Sequence, residues 1–184
     1  MSARVLVPLA EGFEEIEAVT IIDVLRRAGA EVVVAALGLS PVRGAHGIAL
    51  LADATLDSLD GGDFDLLVLP GGQPGTRHLG EDQRVLALVR EFAAAKKTVA
   101  AICAAPWVLA QAGVLEGATV TAHPSVHTKL APAKVDTTTR VVRSGAIVTS
   151  QGAGTALEFA LALAAEVAGQ DCADELGRAM IVRP

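Results

Sequence analysis

The residue with the clearest capacity for covalent chemistry is Cys103, which follows the apolar run 99–102 and precedes Ala104, Ala105 and Pro106. Small neighbours suit a nucleophile held in a sharp turn between a strand and a helix, because the backbone there is crowded. Pro106 suits the first turn of that helix. Since a helix N-terminus stabilises a thiolate, the pattern predicts a nucleophilic Cys103 with a lowered pKa. The alternative is a structural cysteine packed under a sheet.

A thiolate needs a proton partner, and Glu14, Glu15 and Glu17 stand in the first turn of the first predicted helix. On a helical wheel Glu14 and Glu17 fall on the apolar side, and Glu15 lies at its boundary. A carboxyl against an apolar surface has a raised pKa and stays protonated more easily at neutral pH. The alternative is favourable negative charge at a helix N-terminus, which explains Glu14 and Glu15 better than Glu17. The wheel does not choose between Glu14 and Glu17.

Two backbone N–H groups are candidates for binding a negatively charged substrate oxygen. Gly71 and Gly72 follow a predicted core strand, and glycine permits backbone conformations that aim an N–H group at a ligand. Together with the N–H of Ala104, that of Gly72 is predicted to form an oxyanion hole. The alternative interpretation is an ordinary tight turn.

His123 is the best placed of the four histidines, because it ends a short predicted strand directly before Pro124. Histidine is a common general acid or base near neutral pH. A loop histidine with satisfied hydrogen bonds is the alternative, and His127 is the local competitor. Cys103, Glu17 and His123 are also metal-ligand types, but three scattered ligands without paired spacing are a weak zinc signal, so no metal is expected.

The elements that must position these residues are short apolar strands alternating with Ala/Leu-rich helices. The predicted strands are 5–10, 31–37, 65–69, 98–102, 119–122, 140–143 and 146–150. The predicted helices are 14–28, 81–96, 104–112, 155–168 and 171–180. This alternation predicts an α/β fold with a doubly wound, mostly parallel sheet covered by helices on both faces. Ligands in such folds bind beyond the C-terminal ends of the strands, where Cys103 stands.

Two further stretches lie between these elements. The segment 41–52 is predicted to be a small antiparallel excursion, and 124–139 is predicted to be a mobile loop. Gly152 and Gly154 sit between a strand and a helix, but the third glycine of a dinucleotide fingerprint is missing, so they are interpreted as a turn.

Composition excludes several classes of protein. The chain has 184 residues, 52% of them apolar, and a formal net charge of −6, which favours a single folded domain over residues 1–184. Without a Lys/Arg run, stable nucleic-acid binding is not expected. No apolar stretch reaches 18 residues and no signal peptide is visible, so no membrane association is expected. Cys103 and Cys172 are too few for a disulfide framework, which favours a cytoplasmic location.

Four separated segments together resemble the ThiJ/PfpI superfamily, and within it the branch that contains the parkinsonism-associated protein deglycase and bacterial YajL. The segments are AEGFEEIE at 10–17, LPGG at 69–72, AAICAAP at 100–106 and TSQGAGT at 149–155. Each motif is modest alone, but their order and spacing are jointly specific, and the likeness covers nearly the whole chain.

The resemblance implies a flavodoxin-like sandwich and a homodimer. It implies Glu17 as the acid beside the nucleophile Cys103, His123 near the site, and Gly72 and Ala104 as amide donors. It further implies a cofactor-free glyoxalase or deglycase acting on methylglyoxal, glyoxal and their early adducts on proteins. The alternative activity in this family is a redox-sensing chaperone whose cysteine is oxidised to a sulfinic acid.

The predicted dimer uses the first helix. Its apolar arc, which contains Ile21, Ile22, Val24 and Leu25, is wider than one sheet face requires, and surplus apolar surface marks an interface.

The sequence also departs from the family pattern. The peptidase branch has histidine directly after the cysteine, whereas this chain has Ala104, so a cysteine peptidase is the weaker alternative. Ala153 stands where relatives often have proline. No cysteine lies near Gly44, which excludes a second redox cysteine there.

Overall fold

Strands of buried, largely apolar residues form the centre of the computed structural model, which describes residues 2–182. The strands there are β1 (Arg4–Leu9), β2 (Glu31–Ala36), β3 (Val42–Arg43), β4 (Ala49–Leu50), β5 (Ala54–Thr55), β6 (Leu66–Leu69), β7 (Thr98–Ile102), β8 (Thr119–Val120), β9 (Lys134–Val135), β10 (Val141–Ser144) and β11 (Ile147–Ser150). The helices are α1 (Glu15–Arg27), α2 (Gly75–Glu81), α3 (Gln83–Ala94), α4 (Pro106–Ala112), α5 (Ala156–Ala168) and α6 (Gln170–Ala179).

A seven-stranded sheet has the order β10-β11-β7-β6-β1-β2-β5. Only β10 and β11 pair antiparallel, and every other neighbouring pair in this sheet is parallel. The chain leaves β1 towards β2 on one side and returns to β6 on the other, so the point where the strand order reverses lies at β1. Ligands of doubly wound folds bind outside the strand ends at such a point.

Helices cover both faces of the sheet, as the alternation of elements predicts. One buried cluster joins Val5 and Val7 of β1 to Ile21 of α1 and Phe159 of α5. The opposite cluster joins Leu6 of β1 to buried side chains of α3 and α4. Successive strand residues point to opposite faces, so the neighbours Val5 and Leu6 enter different layers. This confirms the flavodoxin-like α/β sandwich.

The predicted helix 81–96 corresponds to α3 but begins two residues too early, and the sequence pattern missed the helix that precedes it. The structure has two helices, α2 and α3, with Asp82 between them, and the Asp82 side chain accepts a hydrogen bond from the N–H of Arg84 at 2.8 Å to cap α3. The sequence pattern missed α2 because glycines weaken its helix propensity. Gly80 is needed there, because a Cβ on it would lie 2.7 Å from the Trp107 ring.

The stretch 124–139, predicted as a loop, contains regular structure. It forms a 3₁₀ helix over Pro124–Lys129 and then β9, which pairs with β8. The N–H of Lys134 donates to the carbonyl of Ala118 at 2.9 Å, so a partner distant in sequence creates this strand. The excursion at 41–52 is the antiparallel pair β3–β4, as predicted.

The apolar arc of α1 is not surplus surface, so it does not support the predicted dimer. Ile21, Ile22, Val24 and Leu25 are all buried inside this chain, in the cluster shared with α5. The apolar side chains that α1 does expose are Ile16 and Val19, at 58% and 43%. None of the helices formed by residues 2–182 has the length and apolar character that crossing a membrane requires.

Candidate active site

Cys103 occupies a strained turn directly after β7. Its φ is 63°, a left-handed conformation that side chains other than glycine rarely adopt. The Cys103 N–H donates to the carbonyl of Ser150 at 3.0 Å, and the Cys103 carbonyl accepts from the N–H of His123 at 2.8 Å. Two neighbouring segments therefore impose the turn, and such strain clusters at functional sites.

Two glycines after β6 allow the surrounding groups to approach the cysteine. A Cβ on Gly71 would lie 2.6 Å from Cys103 Cβ and 2.8 Å from Glu17 Oε2. Gly72 has a φ of 94°, and a Cβ on it would lie 2.2 Å from the Glu14 nitrogen. Neither position tolerates a side chain unless the backbone, or Cys103 and Glu17, move.

Glu17 is fully buried beside the cysteine. Its Oε2 accepts a hydrogen bond from the N–H of Gly71 at 2.8 Å, whereas Oε1 is buried with no hydrogen-bond partner within residues 2–182. Burial raises the pKa of Glu17 to about 7. Cys103 is a titratable neighbour of this carboxyl, so a protonated Glu17 can donate a hydrogen bond to a Cys103 thiolate. The structure therefore places Glu17 beside Cys103. The helical wheel did not choose between Glu14 and Glu17.

The pKa of Cys103 differs from the sequence prediction. Burial, followed by the negative charge of Glu17, raises it to about 12. The backbone N–H groups of Ala104 and Gly72 donate towards the sulfur and oppose this rise. The predicted helix effect is small because α4 is a seven-residue helix that starts only at Pro106. Since an ionised Glu17 is one cause of the rise, a thiolate forms most easily when Glu17 carries the proton.

Glu15 is more than the helix-terminus charge that the sequence suggested. It is only 4% exposed, and its Oε1 accepts from the N–H groups of His46 at 2.6 Å and Ile48 at 3.3 Å. Its Oε2 lies 2.9 Å from His46 Nδ1. Glu15 thus fastens the turn between β3 and β4 to α1, and it fills the space that a Cβ on Gly44 would need. Glu14 caps α1 by accepting from the N–H of Ile16 at 3.4 Å, as expected for a helix-terminus charge.

Glu14, Glu15 and His46 are also the one group of three ligand-type side chains within 4.8 Å of one another that residues 2–182 contain. Their oxygen and nitrogen atoms are engaged with each other and with the backbone. Cys103, Glu17 and His123 do not form such a group.

His123 borders the site from its solvent side. Its ring Nδ1 accepts from the N–H of Ser125 at 3.3 Å, which leaves Nε2 as the protonated nitrogen of the neutral ring. A Cβ on Gly152 would lie 3.9 Å from Cys103 Sγ and 3.9 Å from His123 Cδ2. The sulfur and the imidazole ring thus both lie close to Gly152.

The competing histidine is engaged elsewhere. His127 Nε2 lies 2.9 Å from the carbonyl oxygen of Ala122 and donates to it, because a carbonyl only accepts. It therefore serves the turn after β8, and His123 is the histidine beside Cys103.

Sequence reasoning missed a set of hydroxyl groups beneath Gly152. Thr155 Oγ1 donates to the Gly152 carbonyl at 2.9 Å and accepts from the Gly152 N–H at 3.1 Å. Thr155 Oγ1 also lies 2.7 Å from Ser150 Oγ. The backbone carbonyl of Ser150 accepts the hydrogen bond from the Cys103 N–H. These buried hydroxyls shape the turn beside the sulfur. Their only signal in the sequence was the segment 149–155 itself, which resembled the family without indicating a role.

The fold and the site define a flavodoxin-like α/β protein with a cysteine on a strand-to-helix turn. The chain matches the DJ-1/PfpI family over residues 3–166, and it belongs to that family. Three similar relatives are dj-1beta of Drosophila melanogaster (42% identical, 99% of this chain, 98% of the relative), DJ-1 homolog A of Arabidopsis thaliana (41%, 97% of this chain, 46% of the relative), and the glutathione-independent glyoxalase DJR-1.2 of Caenorhabditis elegans (34%, 95% and 93%). This chain thus spans less than half of the Arabidopsis relative.

Solved structures agree with this assignment. The crystal structure of Drosophila DJ-1beta matches with a TM-score of 0.95 at 41% identity, over 100% of both chains. An oxidised DJ-1 from Toxoplasma gondii matches with a TM-score of 0.92 at 37% identity, over 98% of both chains.

Proposed function

We propose that this protein is a cofactor-free, cysteine-dependent glyoxalase and deglycase of the cytoplasm. Its substrates are methylglyoxal, glyoxal and their early adducts on protein side chains. The observation that carries the proposal is the fully buried Glu17 carboxyl next to Cys103, where the two side chains meet at Gly71. A carboxyl whose pKa of about 7 matches the working pH is suited to giving and taking protons. A family relative that is named a glutathione-independent glyoxalase supports the same reaction class.

In the first step Cys103 gives up its thiol proton to water, and the thiolate forms a covalent bond with the aldehyde carbon of methylglyoxal. The aldehyde oxygen receives the negative charge, facing the N–H groups of Gly72 and Ala104, and it then takes the proton of Glu17. The product is a hemithioacetal, and Glu17 is now ionised.

The second step moves hydrogen from one carbon to its neighbour. Glu17 removes the proton from the carbon attached to sulfur, giving an enediolate, and returns it to the adjacent carbon, while the hydroxyl proton of the first carbon moves to the oxygen of the second. The first carbon is oxidised to a thioester and the second is reduced from ketone to alcohol, so no external redox partner is needed. Water then hydrolyses the thioester to lactate and frees the Cys103 thiol, and Glu17 takes up the proton that the hydrolysis releases. His123 is proposed to orient the substrate or to assist this proton transfer.

An adduct on a protein side chain delivers the same carbon skeleton to Cys103. The side-chain thiol or amine leaves with a proton, and Cys103 takes its place on the carbon. The later steps are unchanged.

The decisive experiment measures lactate production from methylglyoxal without glutathione, by the wild type and by Cys103→Ser. We expect lactate from the wild type and at least a 10²-fold lower rate from the variant. Equal rates would remove Cys103 from the mechanism, and no lactate from a fully reduced wild type would refute the glyoxalase activity.

A redox sensor or chaperone is the second candidate, because Cys103 combines strain with backbone donors suited to a sulfinate. In that case peroxide oxidises Cys103 to a sulfinic acid that hydrogen-bonds to Glu17. A protein that binds unfolded clients only when oxidised, and that does not turn over methylglyoxal, would favour this alternative. A peptidase is the weakest candidate, because Ala104 stands where that branch has histidine.

A further inference from the structure

A second cleft opens at the same edge of the sheet, where β1 and β2 end, with a volume of about 580 Å³. That volume lies in the range of small-molecule and side-chain sites. Its apolar wall includes Leu9, Leu37 and Leu39, and Leu39 is 91% exposed. Its lining, drawn from the described residues, does not include Cys103 or Glu17, so the cleft is separate from the active site.

The rim of the cleft offers hydrogen-bond acceptors. Glu11 and Glu81 line it, and both residues are exposed. Glu11 Oε1 also accepts from the N–H of Arg43 at 3.2 Å. His78 Nδ1 lies 3.0 Å from the Glu11 carbonyl oxygen and donates to it. In the neutral ring this leaves His78 Nε2 as an acceptor.

Arg84, the one arginine among the described residues that line the cleft, already has its charge neutralised. Arg84 donates to Asp57 at 2.7 Å and to the Leu37 carbonyl at 2.9 Å, and it pairs with Asp82. Two carboxylates thus offset one guanidinium. Within residues 2–182 neither Glu11 nor Glu81 forms an ion pair, so the rim keeps a negative charge.

We propose that this cleft binds a lysine or arginine side chain of a protein substrate while the modified residue of that substrate reacts at Cys103. The apolar wall suits the methylene stem of such a side chain, and the acidic rim suits its cationic head. This inference rests on the deglycase activity proposed above and adds a substrate preference to it.

The sheet order determines how far apart the two positions are. The ends of β1 and β2 lie two and three strands from β7, which carries Cys103. At about 4.8 Å per strand the separation is about 10–15 Å. An extended peptide spans about 3.3–3.6 Å per residue, so the basic residue should lie three or four positions from the modified one.

The kinetic test uses peptides with one methylglyoxal-modified cysteine and either lysine or norleucine three residues away. For the wild type we expect a kcat/KM about five-fold higher with lysine, the effect of one exposed ion pair. Glu81→Lys should abolish that preference without changing the turnover of free methylglyoxal. Glu116→Lys is the matched control, because Glu116 is exposed and does not line the cleft. If both peptides react equally while methylglyoxal turnover is intact, the cleft proposal is wrong and the glyoxalase proposal stands.

A binding measurement tests the cleft even if the protein has no turnover. Amide NMR spectra of Cys103→Ala are recorded with the unmodified lysine and norleucine peptides. Shifts at Leu37, Leu39 and His78 caused by the lysine peptide alone support the proposal. No such shifts, or equal shifts with both peptides, overturn it. Shifts with n-butylamine but with neither peptide would assign the cleft to free amines and also overturn it.

Discussion

At the scale of single residues, the proposed chemistry depends on one proton shared between Glu17 and Cys103. Burial raises the pKa of Glu17 to about 7 and that of Cys103 to about 12, and the negative charge of Glu17 opposes ionisation of Cys103. The pair therefore carries at most one negative charge near neutral pH. Donors from Gly72 and Ala104 favour placing that charge on the sulfur, and the N–H of Gly71 favours placing it on the carboxylate.

Glu17→Gln keeps the volume and a donor but cannot pass a proton. We expect methylglyoxal turnover to fall by about 10² or more with the fold retained, measured by lactate release and circular dichroism. Glu116→Gln is the control, since that side chain is exposed and distant in sequence from the site. Glu15→Gln is unsuitable as a neutral control, because Glu15 is buried and holds the turn after β3. Wild-type turnover in Glu17→Gln would contradict the proposed role.

The raised pKa of Glu17 also predicts how stability depends on pH. The folded protein binds this proton up to a pKa of about 7, whereas the unfolded chain releases it near 4.5. Stability from this group is therefore full below pH 4.5 and is lost as the pH rises to about 7. Urea unfolding at several pH values should show this decline, on the order of 1–3 kcal/mol, in the wild type. The decline should be absent in Glu17→Gln, and an identical slope in both proteins would contradict the assignment.

The two cysteines are predicted to differ in reactivity. Burial raises the pKa of Cys103, but the N–H groups of Ala104 and Gly72 that donate towards its sulfur also suit the negative charge of a sulfinate. Cys172 lies on α6. Mild peroxide should convert Cys103 to a sulfinic acid before Cys172 is modified, as read by peptide mapping. Earlier oxidation of Cys172 would count against the assignment of the site.

At the scale of elements, three strand ends meet at the site. β7 supplies Cys103, β6 leads into Gly71, and β11 leads into Gly152. Glycine is required at Gly71 in particular, because any Cβ there would collide with Cys103 and Glu17. The strand ends thus bring Cys103 and Glu17 together, and the absence of a side chain at Gly71 allows them to come into contact.

Gly71→Ala tests this arrangement. The added methyl group would force Cys103 and Glu17 apart, so we expect a loss of turnover of at least 10-fold and a destabilisation of about 1–3 kcal/mol. Gly38→Ala is the matched control, since a Cβ there meets nothing within 4 Å. Lactate release and urea unfolding measure both effects. Equal turnover and equal stability of the two variants would show that the close packing of Gly71 against Cys103 and Glu17 is unimportant.

At the scale of the whole molecule, a homodimer built partly from α1 remains a prediction. Ile16 and Val19 of α1 are exposed, and Ile48 and Leu51, which flank β4, are exposed at 57% and 78%. Apolar surface of this kind is typical of an interface. Light scattering at micromolar concentration should give the mass of two chains, and Val19→Asp should lower it. A monomeric wild type would contradict the prediction.

The sequence alone determined the layers of the fold and the strand-to-helix turn at Cys103. Both depend on local signals: apolar runs with a strand or helix period, and small residues around one cysteine. The family motifs then selected Glu17 and His123.

Only the tertiary structure decided what depends on contacts between distant segments. The strand β9 and the burial of Glu15 each require a partner far away in the chain. The pKa of Cys103 has the same origin, because it depends on how deeply the sulfur is buried and on the charge of Glu17. Glu17 is 86 residues from Cys103 in sequence, and the sheet, through the close packing at Gly71, sets the distance between their side chains.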